Sequence, residues 1–169
     1  MGIGWMTQEN VKTMIEKLDL VPLEGEGGMY RYTYAGAPDL NGRSVYSAIY
    51  YLLTEHSFSH MHQLDADEIY HFYMGDSLEL LLLYPDGKAE CRVLGCDLAQ
   101  GEVPQILVPA GCWQGSRVIQ GGKYALVGTT MAPAYDAEKY VHGDSEKLCE
   151  LYPEAADKIR QRCGNAVAQ

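Results

Sequence analysis

His60-Met61-His62-Gln63-Leu64-Asp65-Ala66-Asp67-Glu68-Ile69-Tyr70-His71-Phe72-Tyr73-Met74-Gly75 is the chain's densest run of metal-ligating and proton-transferring side chains. It reads as two strands, Ser57–His62 and Glu68–Met74. Side chains two apart on a strand share a face, so His60 pairs with His62. Glu68, Tyr70 and Phe72 share a face of the next strand, and His71 takes the opposite one. A hairpin closing near residue 65 would set His62 against Glu68 and His60 against Tyr70. Directly opposed residues have Cβ atoms roughly 4.5–5.5 Å apart. The spacing therefore predicts two imidazoles and a carboxylate on one point, a set able to hold one divalent transition metal such as Zn, Fe, Mn or Ni.

Outward from this stretch the period stays that of strands. Met29–Ala35 alternates Tyr30, Tyr32 and Tyr34 with Arg31 and Thr33. Ser44–Thr54 is a long strand whose edge is a natural dimer contact. Ser77–Tyr84 and Lys88–Leu94 flank Pro85-Asp86-Gly87, a turn signal, and run antiparallel. Gln105–Val108, Cys112–Ile119 and Lys123–Met131 complete a series that predicts a β-sandwich or barrel. Both ends turn helical. Over residues 7–20, Val11, Met14, Ile15 and Leu18 form one apolar stripe, with Thr7 as N-cap and Pro22 as stop. Residues 24–28, EGEGG, read as a flexible joint. Ser145–Leu151 and Pro153–Arg162 are the closing helices, with Pro153 at a helix start. The two helical regions, 7–20 and 145–162, cover the barrel or a subunit joint.

Composition excludes several function classes. The chain has 169 residues, which suits a single domain over 1–169, with the barrel at about 29–133. Asp+Glu total 23 against Lys+Arg 13, a formal net charge of -10. Nucleic-acid and anionic-membrane partners need the reverse balance. Five cysteines without a C-x-x-C spacing indicate neither a disulfide framework nor a zinc knuckle. MGIGWMTQEN lacks the basic and apolar regions of a signal peptide, and no apolar run nears the 18 or so residues of a membrane span. The expected compartment is the cytoplasm.

The opening stretch resembles the first cupin motif, G(x)5HxH(x)3-4E(x)6G. His60-Met61-His62 matches HxH, and Glu68 with Gly75 matches E(x)6G, although the gap before Glu68 is five residues. Pro109-Ala110-Gly111-Cys112-Trp113-Gln114 resembles the second motif, G(x)5PxGxxH(x)3N. There Val103, Gln114 and Val118 replace the Gly, His and Asn. Gly27–Arg31, Ala48–Thr54, Asp65–Asp76, Val108–Gly115 and Tyr124–Pro133 together resemble one small family of uncharacterised cupins, type 5, a domain of unknown function. That resemblance implies an all-β, double-stranded β-helix (jelly-roll) barrel, usually a homodimer, with no settled reaction. His60 is less expected in the family than His62, which favours a metal here, whereas Gln114 weakens it.

The candidate pocket uses His60, His62, Glu68, Tyr70 and Gln114, and small barrels of this kind suit one small ligand. With a metal, His60, His62 and Glu68 are the ligands and Gln114 a weak fourth. Without one, His62 is a general base, Glu68 orients it, and Tyr70 protonates the opposite face, giving epimerisation or isomerisation of a small polar, sugar-like or carbonyl-bearing metabolite. Trp113 is a candidate pocket lining and Arg31 a candidate contact to an anionic substrate. A non-catalytic module that binds or senses a small molecule would use the same pocket, so enzyme and binding module both stay open.

Overall fold

The computed structural model describes residues 6–164, with side chains from residue 9 onward. A leading helix, α1 (Met6–Lys17), precedes β1 (Val21–Pro22), β2 (Met29–Ala35), β3 (Ser47–Thr54), β4 (Phe58–Gln63) and β5 (Asp67–Gly75). There follow β6 (Leu78–Leu83), β7 (Ala89–Leu94), β8 (Gln105–Val108), β9 (Trp113–Val118), β10 (Tyr124–Ala132) and β11 (Val141–His142). Helices α2 (Ser145–Leu151) and α3 (Ala156–Arg160) close the described chain, joined by a 3-10 turn that Pro153 begins. The strands form two antiparallel sheets, β1-β2-β3-β10-β5-β8 and β11-β4-β9-β6-β7. The predicted jelly roll is observed as a two-sheet sandwich, not a closed barrel.

Periodicity explains what each layer buries. On α1, Val11, Met14, Ile15 and Leu18 pack on Leu20, Leu52 and Leu126, covering one end of the six-stranded sheet's outer face. The helix includes Met6, so Thr7 lies within it and is not its cap. In β6, Leu78, Leu80 and Leu82 face the interior, while Leu81 and Leu83 pack outward under α2 and α3. A strand buried on both faces reads as a continuous apolar run, as LELLLL does. The β6–β7 hairpin has the predicted turn and pairs Leu78 with Leu94 through to Leu83 with Ala89.

The expected hairpin between Ser57–His62 and Glu68–Met74 does not form. β4 pairs with β9 and β11, whereas β5 pairs with β10 and β8. The intervening link crosses from one sheet to the other and is fastened onto the turn of the second motif. Gly111 donates its backbone N–H to Leu64 at 2.9 Å, Ala110 donates to Asp67 at 2.8 Å, and the Gln63 amide donates to the Gly111 carbonyl at 2.7 Å. Arg43 holds Asp65 through two hydrogen bonds of 2.7 and 2.8 Å. Polar side chains in this link thus satisfy the backbone of a distant turn instead of closing a local one. The Ser44–Thr54 strand is also corrected. It begins at Ser47 and lies between β2 and β10, so it offers no free edge. Gly75, which closes the first motif, has φ +100°, and a Cβ there would overlap the Tyr124 carbonyl.

The closing helices are fixed to the five-stranded sheet by a buried charge. Arg162 is fully buried, contacts Glu79 at 2.6 Å, and donates to the Gly115 and Lys158 carbonyls. Lys158 adds a second contact to Glu79 at 2.9 Å. Burial raises the pKa of Glu79, but hydrogen bonds and charge from Lys158 and Arg162 outweigh it and bring the value down to about 2. Glu79→Gln leaves a buried guanidinium without its counter-charge. It is expected to lower unfolding free energy by about 3–5 kcal/mol, read from urea denaturation. Because the folded-state pKa is depressed, this stabilisation is full above the ordinary carboxylate pKa of 4.5 and is lost as pH falls through about 2. Acid titration of the thermal midpoint should show that loss in the wild type and a flatter profile in Glu79→Gln.

Candidate functional site

Six-stranded and five-stranded sheets supply opposite walls of one polar hollow. Glu68 and Tyr70 face inward from β5 and Thr129 from β10, while His62 comes from β4. The cavity measures about 70 Å³, room for several waters or one compact ligand at roughly 10–15 Å³ per water. Tyr32 and Tyr135, each nearly half exposed, mark its mouth.

Glu68 is buried, and Gln114 reaches from β9 to donate its Nε2 to Glu68 Oε2 at 2.8 Å. That bond joins the two sheets. Gln114 Oε1 is buried and unpaired. Burial raises the Glu68 pKa, opposed by the charge of His62 and by hydrogen bonds from Thr129 and Gln114, while Glu26 pushes it further up. Burial likewise raises Tyr70 well above the ordinary phenol value, so Tyr70 holds its proton at neutral pH. His62 Nδ1 lies 2.7 Å from the His60 carbonyl, and its ring stacks on Tyr140 with centroids 5.2 Å apart. A carbonyl only accepts, which assigns the proton to Nδ1 and leaves Nε2 as a bare acceptor in the neutral ring.

The sequence-derived candidates separate into two groups. His62, Glu68 and Tyr70 line the cavity, and Gln114 sits behind Glu68. His60, Trp113 and Arg31 do not line it. A register shift between Ser59 and His62 breaks the alternation of β4. His60 instead stacks on His142 at 3.8 Å, with Nδ1 2.9 Å from the Met61 carbonyl. Trp113 packs with Met61, Leu81 and Leu83 on the far side of the five-stranded sheet. Arg31 is exposed, with parity opposite to Tyr30. His71 takes the outer face, bonded to Thr130 and Gln105.

The ligand set expected of His60, His62, Glu68 and Gln114 is therefore corrected. Among the described residues no three His, Cys, Asp or Glu side chains form a group that could hold a metal ion. His60 is turned away, and Gln114 spends its amide on the one carboxylate of the set. These residues do not fit a metal centre of the expected kind.

Glu26 was missed by sequence reasoning. It lines the cavity and accepts from Ser59 at 2.9 Å. Its segment, expected as a flexible joint, is packed: Gly28 has φ +73°, and a Cβ there would lie 2.6 Å from the Leu53 side chain. The paired glycines were the available signal, since a close backbone approach needs them. Thr129 and Tyr135 carried no signal beyond strand propensity.

Comparisons with known proteins agree with this architecture. An uncharacterized protein of Saccharomyces cerevisiae is 27% identical over 130 residues, 74% of this chain and 65% of the yeast protein. The chain thus spans less than two thirds of that relative's length. The solved structure of a hypothetical protein from Leishmania major has a TM-score of 0.82 at 30% identity, covering 90% of this chain and 97% of its own. A solved Shewanella oneidensis protein has a TM-score of 0.84 at 33% identity, covering 94% and 98%. The profile described as Cupin superfamily (DUF985) matches residues 12–142, and this chain belongs to that family.

Proposed function

We propose that the cavity carries out proton transfer on a small polar, carbonyl-bearing or sugar-like metabolite, giving isomerisation or epimerisation. One observation carries this reading: the His62 ring is fixed through Nδ1 to the His60 carbonyl at 2.7 Å, in a cavity it shares with Glu68 and Tyr70. Its remaining lone pair suits it as a general base. Tyr70 comes from the opposite sheet and stays protonated, so it supplies a donor on the other side of a bound molecule. Glu68, held by Gln114, provides a second protonatable group whose burial favours its neutral form.

A binding or sensing role is the second reading. The tyrosine walls support it, because they suit a ligand held and released unchanged. The homodimer stays a proposal too. Ile69, Tyr73, Met74 and Leu107 leave apolar surface exposed on the outer face of the six-stranded sheet. Light scattering should then give about twice the 18.8 kDa chain mass, and a monomer at micromolar concentration would remove it.

Deuterium uptake from D2O into dihydroxyacetone, followed by NMR, tests the catalytic reading. The wild type should accelerate uptake over buffer. His62→Ala should lower the enzymatic rate by about 10²–10⁴-fold, and Tyr70→Phe should lower it as well. Wild-type uptake no faster than buffer, or uptake unchanged in His62→Ala, would falsify it.

A further inference from the structure

Several polar groups in and around the cavity spend their donors within the protein. Ser59 donates its hydroxyl to Glu26, Tyr51 donates to the Gly27 carbonyl at 2.8 Å, and Gln114 donates to Glu68. His62 commits its Nδ1 proton to the His60 carbonyl. The lining keeps free acceptors in the remaining oxygens of Glu26 and Glu68 and in His62 Nε2. Behind Glu68, the Gln114 side chain is only 1% exposed and its Oε1 has no partner among the described residues.

Charge points the same way. Two carboxylates line this cavity, and no Lys or Arg is among its lining residues. Glu26 and Glu68 repel one another across it, which adds to the burial that raises Glu68. An anionic carboxylate or phosphate would meet no counter-charge there, whereas a cation would relieve an existing repulsion. Tyr30, Tyr51, Tyr70 and Tyr135 contribute aromatic rings to the same walls. Such rings attract an ammonium group through their negative faces.

From the two carboxylates facing one cavity, the lack of a Lys or Arg among its lining residues and the tyrosine walls, we infer that the cavity selects a small organic cation, a primary or methylated amine whose nitrogen sits beside Glu26 and Glu68. The inference shares its cavity with the proton-transfer reading and narrows the ligand class. It also assigns Glu26 a binding role, in which Glu26 meets the ligand's charge.

Calorimetric titration of the full chain with charge-matched pairs tests it. The pairs are ethanolamine against ethylene glycol and choline against 3,3-dimethylbutan-1-ol, with acetate and oxalate as anions. At least one ammonium probe should bind about tenfold or more tightly than its neutral match, and neither anion should compete. Glu26→Gln and Glu68→Gln should each erase most of that preference. Glu26 lies in a loop, so its variant tests the point even if Glu68→Gln fails to fold. No binding of either ammonium probe, equal binding of the neutral matches, or tighter binding of an anion overturns the inference. Deuterium uptake without ammonium preference overturns it and leaves the proton-transfer reading intact. Ammonium preference without uptake does the reverse.

Discussion

One hydrogen bond crosses the sandwich where its interior turns polar. Gln114 from the five-stranded sheet donates to Glu68 from the six-stranded sheet. A buried carboxylate costs several kcal/mol unless it is bonded or neutral. This chain does both in part, through the Gln114 amide and through burial that favours protonation. Everything else in the cavity is arranged about that group. His62 and Glu26 approach it, the tyrosines wall it off, and the apolar half of the interior begins next to it with Val108, Leu80 and Leu82.

The same bond accounts for the departure from the metal set expected of the His60, His62, Glu68 and Gln114 spacing. A histidine at position 114 could present a ring nitrogen to a metal shared with Glu68 and His62. Gln114 presents an amide proton to Glu68 instead. Meanwhile the register shift in β4 removes His60 to a stack with His142. Two substitutions of role, one chemical and one geometric, turn an expected coordination site into a hydrogen-bonded acidic hollow.

Local signals in the sequence were legible and long-range ones were not. The β6–β7 hairpin followed from Pro85-Asp86-Gly87, and α1 from its apolar stripe, because each depends only on neighbours in the chain. His62, Glu68 and Tyr70 were found by parity, which survives whatever strand lies alongside. Their meeting was expected through a hairpin and occurs across the sandwich, since β4 and β5 belong to different sheets. His60 was misplaced because a bulge leaves no mark in residue type. Trp113 was readable in principle: it adjoins Gln114 on one strand, so the two face opposite ways. Glu26 could not be reached by periodicity, because it enters the cavity from a loop.

The order of strands bears on how the chain leaves the ribosome. Each of the central pairings joins distant segments, β3 to β10 and β4 to β9, whereas β2–β3 and β6–β7 close locally. Ala48–Thr54 therefore emerges with one edge satisfied and the other bare until residues 124–132 follow. At roughly 5–20 residues per second that interval lasts seconds. During it, an apolar strand with an open edge is available to any neighbouring nascent chain.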